Sequence, residues 1–250
     1  MLAGSEMADS PLLLLDYALR LLRLLILLAL WRLILDGRPA SGPMPLAAVL
    51  TYTLISQAFA EQLDVRTTLA NSLWQGTIVM RFLRPLAIVP QFAAEMAGRW
   101  ATNFVLFSCP VLLLAGLLGV DPRPASPLAG LLFVLSLALG TSLGLALEFL
   151  VGGLTVALEQ PVWIVERVRV GIATLLSGSL LPLAYYPWGL GEAFAWLPFA
   201  SLAWAPLAIF TASGEPWLLL GRQVVWSVIL WPLVTWFWRA NREKLVAYGG

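Results

Sequence analysis

The chain has 250 residues, of which 60% are hydrophobic and 12% are charged, and its mean hydropathy is +0.86. Soluble domains carry about 25% charged residues, so this composition excludes an ordinary soluble domain and indicates an integral membrane protein. The net charge of +1 and the lack of histidine argue against a nucleic-acid-binding surface and exclude histidine-based catalysis and histidine metal ligands.

The N-terminal segment MLAGSEMADS lacks the cationic start of a secretory signal peptide, so we expect no cleaved signal. A first apolar run follows over residues 12–35. Asp16, Arg20 and Arg23 share one face of it, because they are spaced i, i+4 and i+7. Two interpretations stay open: the first half lies in the membrane interface, or the arginines reach the membrane surface from one tilted span.

Six apolar runs are long enough to cross a bilayer, which takes a helix of about 20 residues. They cover residues 12–35, 45–63, 90–119, 127–158, 163–184 and 216–238. We therefore predict an all-α integral membrane protein with six transmembrane helices in a single domain over residues 1–250. Residues 188–210 are also apolar, but Pro198 and Pro206 favour a re-entrant or surface hairpin there over a seventh span.

Basic residues predict the orientation of these spans, because they are enriched in cytoplasmic loops. The basic residues of one side are Arg66, Arg81, Arg84, Arg167, Arg169, Arg239, Arg242 and Lys244. The other side holds Arg38 and Arg123, and residues 185–215 contain no basic residue. Both termini are therefore predicted to be cytoplasmic, in agreement with an even number of spans.

The loop between the second and third runs contains LWQGTIVMRFLRPL, residues 73–86, in which apolar side chains alternate with arginines. A short helix of this kind suits docking into the groove of another protein. The alternative is a loop helix that packs on the protein's own surface. The chain has no GxxxxGK[ST] phosphate loop and no recognisable nucleophile–base set, so we do not expect an enzyme.

Charged residues inside the apolar runs require partners. Glu95 and Arg99 are spaced i, i+4, which favours an intrahelical structural pair over a substrate role. Glu148 lies in the middle of the fourth run, where a lone carboxylate is costly; Arg222 is a candidate partner, or it extends outward to the surface. The single cysteine, Cys109, cannot form an internal disulfide, and an inert buried thiol is expected.

Small and aromatic residues carry two further patterns. Gly140 and Gly144 form a GxxxG motif, which permits close helix contact but is common by chance. Nine of the twelve tryptophans lie from Trp163 onward. An interfacial aromatic belt is the preferred interpretation; a stacking surface for an aromatic or cationic cargo is the alternative.

The end of the fifth run, LLSGSLLPLAYYP over residues 175–187, is interrupted by Ser177, Gly178, Ser179 and Pro182. Glycine and proline are unfavourable inside a helix. The backbone groups that such a break releases must be satisfied by neighbouring groups or by water. A passive anchor has no use for this break, so we predict a hinge.

Five pieces occur in an order that resembles the permease subunits of ABC-2-type ATP-binding cassette transporters, in the six-span branch. They are WQGTIVMRFLRPL, LLSGSLLPLAYYP, LPFASLAWAPLAIF, RQVVW and LVAYGG, and the resemblance covers about residues 45–250. The N-terminal part departs from the family, whose members usually have a longer interface helix and a full first span. Here both are compressed into residues 12–35.

The resemblance implies a permease, most simply an exporter, powered by separate ATPase subunits that carry ATP and magnesium, with no cofactor in this chain. The loop between spans two and three becomes a cytoplasmic coupling helix, with Trp74, Gln75, Gly76, Arg81, Phe82 and Arg84 as its contact residues. Spans five and six enclose an extracellular re-entrant hairpin, and Ser177, Gly178, Ser179 and Pro182 form a gate.

The resemblance further implies a prokaryotic-type cell membrane and pairing with a second permease chain, for which the shortened N-terminus favours a related chain over an identical copy. Two other classes stay open on the sequence. A secondary transporter would be expected to show internal repeats, and none is clear. An intramembrane enzyme or a structural subunit is the other alternative. Co-purification of a soluble ATPase would distinguish the permease from both.

Overall fold

The computed structural model describes residues 11–35, 42–158 and 161–241, and within these ranges the chain forms helices and turns without a strand. The α-helices are α1 Pro11–Leu35, α2 Leu46–Ala58, α3 Ala60–Leu63, α4 Leu69–Trp74, α5 Ile78–Phe82, α6 Ile88–Asn103, α7 Cys109–Leu113, α8 Pro127–Ala157, α9 Val162–Leu176, α10 Leu190–Phe194, α11 Trp204–Phe210 and α12 Pro216–Ala240. The basic residues Arg38, Arg242 and Lys244 and the LVAYGG tail lie outside the described residues.

Helix α8 is the centre of the bundle and packs against α12, α11, α9, α3 and α4. Its start is encoded locally: Pro127 occupies the first turn, and the Ser126 side chain accepts a hydrogen bond from the Ala129 amide at 3.1 Å. The helix has 31 residues, or roughly 46 Å at 1.5 Å per residue, which exceeds the hydrocarbon thickness of a bilayer.

Among the described residues, two helices are long and apolar enough to cross a membrane. They are Pro127–Ala157 and Pro216–Ala240, with mean hydropathies of 2.1 and 1.5 over their most apolar windows, and Leu46–Ala58 is a shorter apolar helix. These two helices coincide with the predicted fourth and sixth spans. The six-span arrangement as a whole stays a prediction.

Helix α1 is one continuous helix with two different faces. Leu24, Leu28 and Trp31 are buried, and α1 packs against α2. Outward-facing side chains such as Leu14 and Leu33 are 71% and 81% exposed. An exposed leucine face of this extent is what lipid contact requires.

The predicted second and third spans are both interrupted. Helix α2 ends at Ala58, whose carbonyl accepts a hydrogen bond from the Ser108 hydroxyl at 2.6 Å. The chain around Ser108 is itself a π-helical turn, Phe104–Ser108, between α6 and α7. Pro110 lies two residues after this turn, and a proline removes one helical donor and crowds the preceding turn. A widened turn relieves that conflict.

The GxxxG motif of α8 serves two contacts within the chain. A Cβ atom on Gly140 would lie 2.8 Å from the Ser201 carbonyl oxygen, and one on Gly144 would lie 2.5 Å from the Val65 side chain. Close approach of the hairpin backbone and of residue 65 to α8 therefore requires glycine at both positions.

The predicted hairpin consists of α10, a 3-10 turn at Pro198–Ser201, and α11. All seven residues of α11 are buried, and the helix packs against α8, α2 and α12. The second arm of the hairpin is therefore part of the core, whereas the first arm exposes Trp196 to 62% of its surface.

Candidate functional site

Two regions of the bundle contain the predicted coupling and gate residues. The first is the connecting segment, which we define as residues 64–87 between α3 and α6 and which includes α4 and α5. The second is the helix break, which we define as residues 177–182 after α9. Each region is held by polar contacts to helices that are distant in sequence.

Arg81 attaches the connecting segment to α6. Its guanidinium donates to both carboxylate oxygens of Glu95, at 2.7 and 3.0 Å, and to the Thr68 hydroxyl at 3.2 Å. The same group lies 4.0 Å from the centroid of the Phe92 ring. Only 14% of the Arg81 side chain is exposed, so this predicted contact residue faces inward.

The predicted intrahelical pair of Glu95 with Arg99 is wrong. Glu95 binds Arg81, and Arg99 instead donates to the backbone carbonyl of Arg66. Spacing along α6 places the two side chains near each other, but the connecting segment folds over this face and offers each a different partner. Arg66 also forms an ion pair with Asp64.

Glu148 attaches the connecting segment to the centre of the bundle. Its Oε1 accepts hydrogen bonds from the Thr67 amide at 3.0 Å and the Thr67 hydroxyl at 2.9 Å. Its Oε2 lies 2.9 Å from the Arg169 guanidinium, which also donates to Glu166 at 2.6 and 2.9 Å. The side chains of Glu148 and Arg169 are only 3% and 6% exposed.

Arg169 therefore replaces Arg222 as the partner of Glu148. Arg222 belongs to the other end of the molecule. Its guanidinium lies 4.1 Å from the Trp196 ring centroid and donates to the Ala195 carbonyl at 3.3 Å, which ties α12 to the hairpin. Trp226 adds a hydrogen bond to the Trp196 carbonyl at 3.0 Å.

The outer face of the connecting segment carries exposed apolar side chains. Trp74, Met80, Leu83 and Leu86 are 66%, 67%, 77% and 52% exposed. Leu73 and Ile78, on the inner face, are fully buried. The segment thus has a packed side and a separate apolar side that is largely exposed.

The remaining predicted contact residues are distributed over this segment. Gln75 and Arg84 are exposed, and Phe82 is half-buried. Gly76 has φ +69° and forms the turn between α4 and α5, a conformation that residues with a Cβ rarely adopt. A shallow cavity of about 400 Å³ runs along Arg84 to Ile88, so the segment presents both projecting side chains and a groove.

At the helix break, three consecutive backbone carbonyls find donors outside α9. The Ser177 carbonyl accepts from the Trp204 amide at 2.7 Å, and the Gly178 carbonyl accepts from the Tyr52 hydroxyl at 2.7 Å. The Ser179 carbonyl accepts from the Ser56 hydroxyl. The break is therefore satisfied by protein groups, as the membrane requires.

Backbone geometry makes the break specific for glycine. Gly178 has φ +79°, and a Cβ atom there would lie 3.1–3.3 Å from Trp204, Tyr52 and Leu183. The next helical turn begins after Pro182, at Leu183–Tyr185. Any larger residue at position 178 would meet both a strained backbone and occupied space.

Two tyrosines fasten the chain after the break. The Tyr185 hydroxyl donates to the Met44 carbonyl at 3.1 Å, and the Tyr186 hydroxyl donates to the Leu175 carbonyl at 2.6 Å. Partial burial raises the pKa of both hydroxyls, so they stay protonated and keep their donor protons at neutral pH. These two hydrogen bonds are therefore independent of pH in the physiological range.

Sequence reasoning missed Tyr52, Ser56, Thr67, Arg169 and Gln223 as site residues. Tyr52 and Ser56 are four apart in an otherwise apolar run, so a face of hydroxyls was readable there. Gln223, fully buried in α12, bonds the Ser136 hydroxyl and the Ser136 and Ser201 carbonyls. No feature of the sequence distinguishes it from a lipid-facing glutamine.

The part of the chain that the structure describes contains no group of three or more Cys, Asp or Glu side chains that could hold a metal ion. A family model described as "ABC-2 family transporter protein" matches residues 21–249. No curated protein and no solved structure matches this chain.

Proposed function

The chain belongs to the ABC-2 family of transporter proteins, and we propose that it is the permease subunit of an exporter driven by separate ATPase subunits. Family membership makes it a membrane transport component. Export, the ATPase partners and the roles of individual residues are our proposals. ATP and magnesium would bind the partner ATPase, and this chain would need no cofactor of its own.

The observation that carries the proposal is the two-sided connecting segment. Trp74, Met80 and Leu83 project from it, while Leu73 and Ile78 anchor it to the bundle. Apolar side chains on short helices are suited to a groove on a partner protein. The family resemblance supports an ATPase as that partner.

The inner contacts supply a route for force. A displacement of the connecting segment would be transmitted to α6 through the ion pair of Arg81 with Glu95. It would be transmitted to α8 and α9 through the contacts of Thr67 with Glu148 and of Glu148 with Arg169. Ion pairs of this kind have short, directed contacts, and the buried ones are little screened by solvent. Motion of an ATPase could thus displace three helices together.

The proposed topology has six spans, with the connecting segment and both termini in the cytoplasm of a prokaryotic-type cell. The basic residues Arg66, Arg81 and Arg84 support this orientation. The hairpin of α10 and α11 would then face the outside. A second permease chain would complete the membrane unit, and we favour a related chain over an identical copy.

The helix break is the proposed outer gate. Its carbonyls are bonded to side chains of α2 and to the start of α11, so a relative movement of these helices would change the break directly. The same break ends α9, which carries Arg169. Signals from the connecting segment could therefore reach the gate through a single helix.

A pull-down with the cognate ATPase tests the docking proposal. Trp74→Asp combined with Leu83→Asp puts charges where apolar contacts are proposed, and we expect at least tenfold less ATPase to be retained, since each lost apolar anchor costs about 2 kcal/mol or more. Both side chains are exposed, so the bundle should still fold.

The matched control is Trp188→Asp, since Trp188 is 92% exposed and lies in the hairpin region. Its φ of +58° suits aspartate better than most residues. It should retain the ATPase at the wild-type level. Wild-type retention by the double variant, with normal membrane insertion, would contradict docking through this segment.

A further inference from the structure

A charged cavity lies beside the N-terminal half of α1 and has no role in the proposed transport cycle. Its volume is about 310 Å³, and it is open to the surface. The charged residues that line it are Asp16, Arg20, Arg23, Glu61, Asp64 and Arg66. They come from α1, α3 and the start of the connecting segment.

The cavity is lined by three carboxylates and three arginines, but its ion pairs use only two of the arginines. Arg20 binds two carboxylates, Asp16 at 2.8 Å and Glu61 at 2.9 Å. Arg66 binds Asp64. Three carboxylates thus share two arginines, which leaves a surplus of one negative charge. Arg23 also lines the cavity, and within residues 11–35, 42–158 and 161–241 it has no carboxylate partner.

Apolar surface continues directly from the charged cavity. Leu19 and Ile26 lie one turn before and one turn after Arg23 on α1, and they are 55% and 57% exposed. In a membrane protein such side chains contact acyl chains. A ligand with a zwitterionic head and an apolar tail therefore matches both the cavity and the face beside it.

We propose that this cavity binds the head group of an aminophospholipid such as phosphatidylethanolamine. The phosphate lies against the Arg23 guanidinium. The ammonium donates to the carboxylates of Asp16 and Glu61, which together carry one negative charge more than Arg20 neutralises. Arginine suits a phosphate because its planar fork offers paired donors. The acyl chains follow the exposed leucine face of α1.

The balance of charge selects this lipid class over others. Phosphatidylglycerol carries a phosphate without a cation, so it would leave the surplus carboxylate unpaired. Phosphatidylcholine carries a cation that has no N–H to donate, so it cannot hydrogen-bond to Asp16 or Glu61. Of these three head groups, only the one with a primary ammonium offers both a phosphate to Arg23 and N–H donors to the carboxylates.

Native mass spectrometry of the purified chain, titrated with each lipid, tests the proposal. We expect phosphatidylethanolamine to bind more tightly than phosphatidylglycerol or phosphatidylcholine. Arg23→Gln should lower the affinity for phosphatidylethanolamine about tenfold, the effect of losing one charge-assisted contact. Arg23→Lys should recover part of the loss, because it restores the charge without the fork.

Arg123→Gln is the control, since it makes the same change at an exposed arginine far from α1 in sequence. Equal effects of Arg23→Gln and Arg123→Gln would overturn the site. Equal or tighter binding of phosphatidylglycerol would contradict the proposed preference for a zwitterionic head group. Full competition by soluble glycerophosphoethanolamine at matched concentration would show that the acyl chains add nothing to binding, and it would contradict a lipid as the ligand. None of these outcomes depends on the ATPase or on transport.

Discussion

Arg169 joins α9 to the connecting segment through Glu148, which accepts hydrogen bonds from Thr67. It is buried and lies between two carboxylates, Glu148 and Glu166. Burying charges is expensive, and the expense is offset only when each charge keeps a close partner. Removing the arginine would leave two negative charges facing each other, one of them deep in the bundle.

We expect Arg169→Gln to destabilise the protein by about 3 kcal/mol or more, the usual effect of breaking a buried pair from one side. In a chain of this size that corresponds to a fall of roughly 6–12 °C in melting temperature. Thermal unfolding in detergent, followed by circular dichroism, measures it.

Arg167→Gln is the control for that change. Arg167 is exposed, and its guanidinium lies 5.8 Å from the Trp163 ring centroid, so its loss should change the melting temperature little. If both variants melt at the wild-type temperature, Arg169 does not hold the buried pair together.

At the scale of elements, the helix break is a joint among α9, α2 and α11. The three carbonyls of residues 177–179 are bonded outside their own helix. A break satisfied in this way is stable when closed. Under the proposed gating, other donors such as water would have to replace these groups when the break opens.

Removing both hydroxyl donors should favour opening. In Tyr52→Phe with Ser56→Ala, the Gly178 and Ser179 carbonyls lose their protein partners, and an unsatisfied buried group costs about 1–3 kcal/mol. We expect amide hydrogen exchange across residues 175–186 to become at least about fivefold faster, since exchange reports the free energy of local opening.

Thr53→Val is the matched variant for this experiment. Thr53 lies on the same helix, and its hydroxyl bonds within the helix to the Val49 carbonyl at 2.8 Å. Its removal should leave exchange at residues 175–186 unchanged. Equal exchange rates in the wild type and the double variant would mean that the two hydroxyls do not control the break.

At the scale of the whole molecule, the connecting segment and the hairpin should lie on opposite sides of the membrane. Positive charge concentrates around the former, and residues 185–215 have none. The long helices α8 and α12 run between these two regions. This orientation is a prediction from charge, because basic residues are enriched in cytoplasmic loops.

Single cysteines at position 84 or 192, each in a Cys109→Ala background, test this arrangement. Arg84 and Glu192 are both exposed, so each replacement should be tolerated. A membrane-impermeant thiol reagent added outside intact cells should label position 192 and leave position 84 unlabelled until the cells are opened. The reverse pattern would overturn the orientation.

The amino-acid sequence determined the properties that depend on nearest neighbours along the chain. Apolar runs predicted where α1, α8 and α12 lie, and the structure shows that Ser126 and Pro127 define the start of α8 locally. The order of five short motifs indicated the family, which the family match confirmed. Glycine and proline marked the helix break, since their backbone preferences are local.

Only the tertiary structure decided which polar groups meet. Glu148 binds Arg169 rather than Arg222, and Glu95 binds Arg81 rather than Arg99. The Tyr52 hydroxyl reaches the Gly178 carbonyl across 126 residues. Helical spacing sets the face on which a side chain lies, but its partner depends on which helices become neighbours. That choice is made by packing over the whole bundle, which no single stretch of sequence encodes.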